Sequence, residues 1–373
     1  MSQSFRAEAV FDGEHLIPNA CVSVEDGRIT AIGPATGPVT DLGPGILAPG
    51  FIDLQVNGAG GVQIADDTDL AALETVCASL AQLGATGCLP TLITDTPAAT
   101  QAVIAAGIAA TKAQVPGFLG LHLEGPHLDP RRKGAHDAAL IRPMTADDLD
   151  LLLHATRNLP ALMVTVAPES VTLDQIAKMT ATGIIVSLGH TDCTAEVAQS
   201  AMKAGARCAT HLFNAMSQLG NRAPGMVGAV LEGDGYTGLI ADGLHVAPLA
   251  LRVALAAKTQ GVFLVSDCMA LAGTTLKEFT LGGRRILRAE GRLTLEDGTL
   301  AGADLTLPQA VGVLVDKAGI APDRALSMAS RIPAQVIGRK DLGHLHPGGV
   351  ADMVHLSPDW RLSGVWQGGL RIV

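Results

Sequence analysis

Four polar residues in this chain each close a short apolar run. Glu124 follows residues 118–123, His190 follows 184–189, His211 follows 208–210, and Asp267 follows 262–266. Unbroken apolar runs of this length read as strands buried on both faces. Parallel strands closed into a barrel deliver the residues at their C-terminal ends to one shared mouth. One carboxylate and two imidazoles meeting there can hold a divalent metal, and a second carboxylate can move protons. That combination is the chemistry of a metal-dependent hydrolase.

Each of these residues also has a plainer reading. A single histidine at a strand end is commonly a hydrogen-bonded structural residue. Two of them, flanked by small residues in Leu188-Gly189-His190-Thr191 and Ala209-Thr210-His211, favour ligation, because an ion needs neighbours small enough to admit it. A carboxylate ending an apolar run is costly to bury unless paired or metal-bound. For Glu124 the alternative is a salt bridge to Arg131, Arg132 or Lys133, beyond the turn at Gly125-Pro126. For Asp267, which could take a proton from water and later give it to a leaving amine, the alternative is a helix N-cap. Cys268 beside it has no evident base and reads as a buried packing residue.

The run that closes the first barrel strand ends in Gln55-Val56-Asn57, where many metallohydrolase barrels carry His-x-His. Amides are poor metal ligands beside imidazole, so one of two possible metal positions loses its protein ligands. The segment at 162–167 also lacks a lysine that could bridge two metals. One metal is expected.

The elements that must position these residues follow from composition and pattern. The chain has 373 residues, 48% hydrophobic and 17% charged, enough for a (β/α)8 TIM-like barrel and a smaller unit. Its net charge of −10 argues against nucleic acid as a general partner. Six cysteines without CxxC pairs, no signal-peptide stretch and no membrane-length apolar run point to reduced thiols and a cytoplasmic location. Barrel strands are expected at 50–55, 87–91, 119–124, 162–167, 184–189, 208–212, 237–241 and 262–267. Helical periodicity fits 69–83, 172–182, 194–204 and 248–259. Residues 214–228 read as a long loop, 279–298 as an inserted β-hairpin and 305–318 as a helix. Short strands at 5–11, 15–17, 20–24 and 28–32 and again at 351–356, 364–366 and 370–373 predict a small β-sandwich-like domain built from both termini. The expected division is 1–49 with 345–373 for that domain and 50–344 for the barrel.

The motifs HLEGPHLDPRRKGAHD (122–137), SLGHTD (187–192), THLFNAM (210–216), PGMVGA (224–229), ADGLH (241–245) and SDCMA (266–270), together with 49–61, resemble the N-acetylglucosamine-6-phosphate deacetylase family of the amidohydrolase superfamily. The resemblance runs nearly end to end. It implies Glu124, His190 and His211 as ligands of one divalent ion per subunit, Zn2+ or Fe2+, and Asp267 as catalytic acid and base. It implies that His136 contacts the acetamido group and sugar hydroxyls, and that Asn214 and the Ala215 backbone bind phosphate. Arg222 and His245 would help from the other subunit of a homodimer. Read alone, Arg222 is a surface cation and His245 is equally a ligand or a structural residue. The implied reaction is hydrolysis of N-acetyl-D-glucosamine 6-phosphate to D-glucosamine 6-phosphate and acetate. The rivals are the same chemistry on another amino-sugar phosphate, such as the N-acetylgalactosamine epimer, and a noncatalytic barrel.

Overall fold

The structure, a computed structural model, describes residues 2–373. Eight parallel strands pair in chain order: β1 (Phe51–Val56), β2 (Ala85–Ile93), β3 (Leu121–Glu124), β4 (Leu162–Val166), β5 (Ile185–Leu188), β6 (Cys208–Ala209), β7 (Tyr236–Leu239) and β8 (Val262–Leu264). β1 and β3 to β6 are buried along their whole length, which is why they read as unbroken apolar runs. The seam between β8 and β1 closes through the residues beyond β8. Asp267 N–H donates to the Gln55 carbonyl at 3.0 Å, and Asn57 N–H donates to the Cys268 carbonyl at 2.8 Å. The circle therefore shuts at the four-residue level of Gln55, Asn57, Asp267 and Cys268.

Helices cross over between successive strands. In Leu70–Gln82 the buried positions Leu73, Val76, Cys77 and Leu80 recur at helical spacing. The Asp69 side chain caps the start by accepting the Ala72 N–H, and Gly84 follows the end. Pro97–Ala113 and Ala146–Ala155 complete the crossovers after β2 and β3.

Chain ends form two further sheets. One orders Arg28–Gly33, Cys21–Glu25, Gln3–Arg6 and Val39–Asp41. The other orders Leu370–Arg371, Leu362–Gln367, Met353–Leu356, Ile46–Pro49, Ala9–Phe11 and Leu16–Pro18. Phe5, Val22, Ile29, Leu47, Met353 and Trp366 share one buried cluster between them, with the Phe5 and Trp366 rings 5.1 Å apart. Ile46–Pro49 belongs to this second sheet and runs straight into β1.

Three local expectations change. The insertion after β8 is a four-stranded meander rather than a hairpin: Glu278–Leu281, Arg284–Ala289, Arg292–Leu295 and Leu300–Ala303. It has its own small core of Leu271, Leu281, Ile286, Leu293 and Ala301, joined by Met269. The expected loop at 214–228 ends early, because Met226, Val227 and Val230 bury one face of a helix at Gly225–Glu232. The sixth strand is short because the chain turns out of extended geometry at His211, whose φ is 29°.

Candidate active site

Glu124 is the last residue of β3, and His190, His211 and Asp267 lie two or three residues beyond β5, β6 and β8. The last three all have positive φ (47°, 29° and 51°). That region is strained for residues with a Cβ, at about 1–3 kcal/mol each. The turn it produces swings each side chain over the barrel mouth instead of letting the strand run on. All four residues are buried.

Glu124, His190 and His211 converge closely. Oε1 of Glu124 lies 3.2 Å from His190 Nε2 and 3.1 Å from His211 Nε2, and the two imidazole nitrogens are 3.2 Å apart. An ion bound tetrahedrally at about 2.0–2.1 Å needs ligand atoms roughly 3.3 Å apart. The donor set and the spacing both fit a divalent metal. His190 Nδ1 donates to the Arg132 carbonyl at 2.8 Å, so Nε2 is the nitrogen left to face the cluster. Burial opposes charge on Glu124, but hydrogen bonds and attraction from the two imidazoles outweigh it and hold the carboxyl well below the usual range.

The salt-bridge alternative for Glu124 fails. Arg131 pairs with Asp129, Glu169 and Asp192, Arg132 pairs with Asp192, and Lys133 is exposed while Glu124 is buried among histidines. Nor does Asp267 cap a helix; it lies on the barrel seam. Its Oδ1 accepts from Asn57 Nδ2 at 2.7 Å, and its carbonyl accepts from Ala303 N–H at 2.8 Å. Burial and the nearby Glu124 charge push its carboxyl up to about 6, partly offset by His211 and Asn57. Gln55 Nε2 donates to Glu124 Oε1 at 3.0 Å. Both first-strand amides thus orient carboxylates. Cys268 is buried, its thiol raised well above the usual range by burial.

His136 carries a proton where a substrate carbonyl could use it. Thr94 N–H approaches its Nδ1 at 3.2 Å and the Thr94 hydroxyl at 2.8 Å. A backbone N–H can only donate, so Nδ1 is the acceptor and the neutral ring bears its hydrogen on Nε2. Burial, with His190 nearby, pushes the ring's pKa down to about 3 and keeps it neutral. Its Nε2 sits 3.8 Å from Glu124 Oε2, beside the metal cluster.

A cavity of about 250 Å³ joins these groups, lined among others by Asn214, Ala215, His245, Ile93, Met269 and Leu300. This is small for a ligand site and suits one sugar rather than a polymer. His245 lines the cavity of its own chain, where the resemblance implied a reach across subunits. The Asp242 carboxylate accepts its Nδ1–H at 2.6 Å and its backbone N–H at 2.8 Å, and so fixes the turn that points it inward. Arg222 is exposed and does not line this cavity. The loop carrying it turns outward, with Gly220 N–H donating to the Ala223 carbonyl.

Sequence reading missed Thr94, Asp53 and the cavity wall from the insertion. Thr94 was accessible to the same rule as the other four, since it ends the run of β2. Asp53 is buried, and its carboxylate accepts the N–H groups of Gln55 and Ser266, each at 3.2 Å. Burial raises it to about 7. Its position inside an apolar strand gave no sign that it ties β1 to the end of β8. Thr299, Leu300 and Gly302 line the cavity only because the meander folds back over the mouth.

The amidohydrolase family profile matches residues 46–369. The chain is 38% identical to an N-acetylgalactosamine-6-phosphate deacetylase of Shewanella sp. (strain ANA-3), covering 95% of this chain and 92% of that protein. It is 36% identical to an N-acetylglucosamine-6-phosphate deacetylase of Haemophilus influenzae, over 87% and 86% of the two chains. The crystal structure of N-acetylglucosamine-6-phosphate deacetylase from Pasteurella multocida superposes with a TM-score of 0.94 at 33% identity, covering 100% of this chain and 99% of that one.

Proposed function

The chain belongs to the amidohydrolase family, whose members are metal-dependent hydrolases, and on that premise we propose that it deacetylates an amino-sugar phosphate. The reaction is hydrolysis of N-acetyl-D-glucosamine 6-phosphate to D-glucosamine 6-phosphate and acetate. The observation that carries this reading is the 3.1–3.2 Å triangle of Glu124, His190 and His211 beside Asp267, in a cavity sized for one sugar. Acetate release from a panel of N-acetylated sugar phosphates, with metal content measured on the same sample, tests it.

Glu124, His190 and His211 would hold one divalent ion, Zn2+ or Fe2+, which supplies Lewis acidity and lowers the pKa of a water towards about 7. A second ion is not expected, because Gln55 and Asn57 already donate to the two carboxylates. His136 Nε2–H donates to the amide oxygen and stabilises the negative charge that develops there as water attacks the carbonyl carbon. Asp267 takes the proton of that water. It then delivers the proton to the amide nitrogen as the C–N bond breaks, leaving acetate and the free amine. Asn214, Ala215 and His245 face the same cavity and are assigned to the sugar phosphate. The protein is assigned to the cytoplasm. No helix among the described residues is long and apolar enough to cross a membrane.

The galactosamine epimer is a specific second reading, favoured by the 38% identity to a deacetylase of that substrate. A side-by-side kcat/KM comparison on the two epimers separates them.

Exposed Arg222 is assigned to the phosphate of a second copy's substrate in a homodimer. Arg222→Ala should raise KM for the phosphorylated sugar and leave hydrolysis of unphosphorylated N-acetylglucosamine unchanged. Mixing Arg222→Ala with Asp267→Asn subunits should then restore activity to about a quarter of wild type, since half the reassorted dimers carry one intact site of two. Equal loss on both sugars, or no recovery on mixing, contradicts the assignment.

A further inference from the structure

Directly beneath the metal cluster runs a belt of buried side-chain hydrogen bonds that crosses the barrel from strand to strand. Ser187 Oγ lies 2.7 Å from Thr210 Oγ1, Thr210 Oγ1 2.7 Å from Thr165 Oγ1, and Thr165 Oγ1 2.7 Å from His122 Nε2. His122 Nδ1 ends the belt 3.1 Å from the Leu54 carbonyl of β1. All four side chains are buried, with relative exposures of 0–3%. A carbonyl can only accept, so Nδ1 bears the hydrogen. In the neutral ring Nε2 accepts from Thr165, Thr165 from Thr210, and Thr210 from Ser187. Each hydroxyl has one proton to give, so the belt has a single direction and no member is spare.

Its placement tracks the ligands. His122 precedes Glu124 by two residues on β3, Ser187 precedes His190 by three along β5, and Thr210 precedes His211 by one beyond β6. Thr165 stands on β4, which carries no ligand, and links His122 on β3 to Thr210 just beyond β6. The backbone turn into His190 rests on the belt. A Cβ on Gly189 would come within 2.8 Å of Thr210 Cβ and 2.9 Å of Thr165 Cγ2. Apolar side chains at all four positions would fill this floor without burying any polar atom, so packing alone does not account for it.

We propose that the Ser187–Thr210–Thr165–His122 belt is a positioning device that sets the separation of the strand ends carrying Glu124, His190 and His211. The three ligand atoms are then held near the metal's spacing before the ion arrives. The proposal rests on the reading of that trio as the metal site. If the wild-type protein binds no zinc, that reading fails rather than the belt.

The test is zinc affinity of the full chain, stripped of metal and titrated against a chromophoric chelator, with the melting temperature of the metal-free form measured in parallel. Thr165→Val keeps the shape and removes the central link. It should raise the zinc Kd several-fold, less than the ~10–100-fold that loss of a direct outer partner costs, because Thr165 touches no ligand side chain, and Thr165→Ser should restore it. A purely structural role would lower the metal-free melting temperature and leave the Kd alone. An unchanged Kd in folded Thr165→Val, or a loss that Thr165→Ser does not repair, overturns the proposal. If Thr165→Val does not fold, Ser187→Ala decides, since it removes only the terminal donor. A Kd raised several-fold supports the belt, and a wild-type Kd overturns it.

Discussion

Asp267→Asn lowers kcat by about 10³-fold or more, roughly 4 kcal/mol of barrier, because one carboxylate serves both proton transfers and each such role is worth about 10²–10⁴. Metal content and KM stay near wild type, since Asp267 is not one of the three clustered donors and asparagine keeps its shape. Near-normal turnover in a metal-replete sample removes Asp267 from the mechanism. The pH profile gives a second reading of the same residue. Asp267 must be ionised to accept a proton, so activity falls as pH drops through its pKa. In the protein alone that pKa is raised to about 6 by burial and by Glu124. A bound dication favours the carboxylate, which places the acid limb of the loaded enzyme at or below 6. A limb well above 6 assigns the titration to another group.

The raised pKa also has a cost in stability. A carboxyl whose pKa rises on folding destabilises the fold once pH exceeds its unfolded value. With a shift from about 3.9 to about 6, the cost grows between pH 4 and 6 and is complete above, on the order of 2–3 kcal/mol. Metal-free Asp267→Asn should therefore melt higher than the metal-free wild type at pH 8, and the gap should close below pH 4. Equal melting at pH 8 argues that Asp267 is not raised in the folded protein.

Glu124→Gln carries the second large effect. It removes the only anion from the ligand trio, at the point where Gln55, His190 and His211 all converge on one carboxylate oxygen at 3.0–3.2 Å. Metal affinity should fall by more than the ~10–100-fold that outer partners cost, and turnover should fall with it. In the wild type a strong chelator should abolish activity, and added Zn2+ or Fe2+ should restore it. A Glu124→Gln protein that keeps its full metal content after dialysis places the ion elsewhere.

Much of this site was legible along the chain because barrel geometry converts a one-dimensional pattern into a place. A polar residue closing a doubly buried strand has only the barrel mouth to occupy, which is why Glu124, His190, His211 and Asp267 could be found from their apolar runs. Thr94 obeys the same rule, but a threonine suits a strand and carries no charge that burial would penalise, so its type does not mark it. The insertion is harder to read. Its strands alternate as a meander should, but nothing in 278–303 announces that Leu300 and Gly302 return to the mouth. The helix at Gly225–Glu232 was hidden by glycines and β-branched residues, whose weak helix propensity was overridden by burial of Met226, Val227 and Val230.

What the amino-acid sequence determined by itself is the set of barrel strands, their order and the four polar residues at or just beyond the ends of β3, β5, β6 and β8, because those follow from local hydrophobic pattern. Only the tertiary structure decided who meets whom. Asn57 and Asp267 are 210 residues apart and joined at 2.7 Å, and Gln55 reaches Glu124 across 69 residues. These pairings depend on where β1 closes against the residues beyond β8, and that register is set by the whole barrel rather than by any segment. The same closure turned two amides, read in sequence as missing metal ligands, into donors to the two carboxylates. It also drew His122, Thr165, Ser187 and Thr210, unremarkable as separate residues, into one continuous belt under the site.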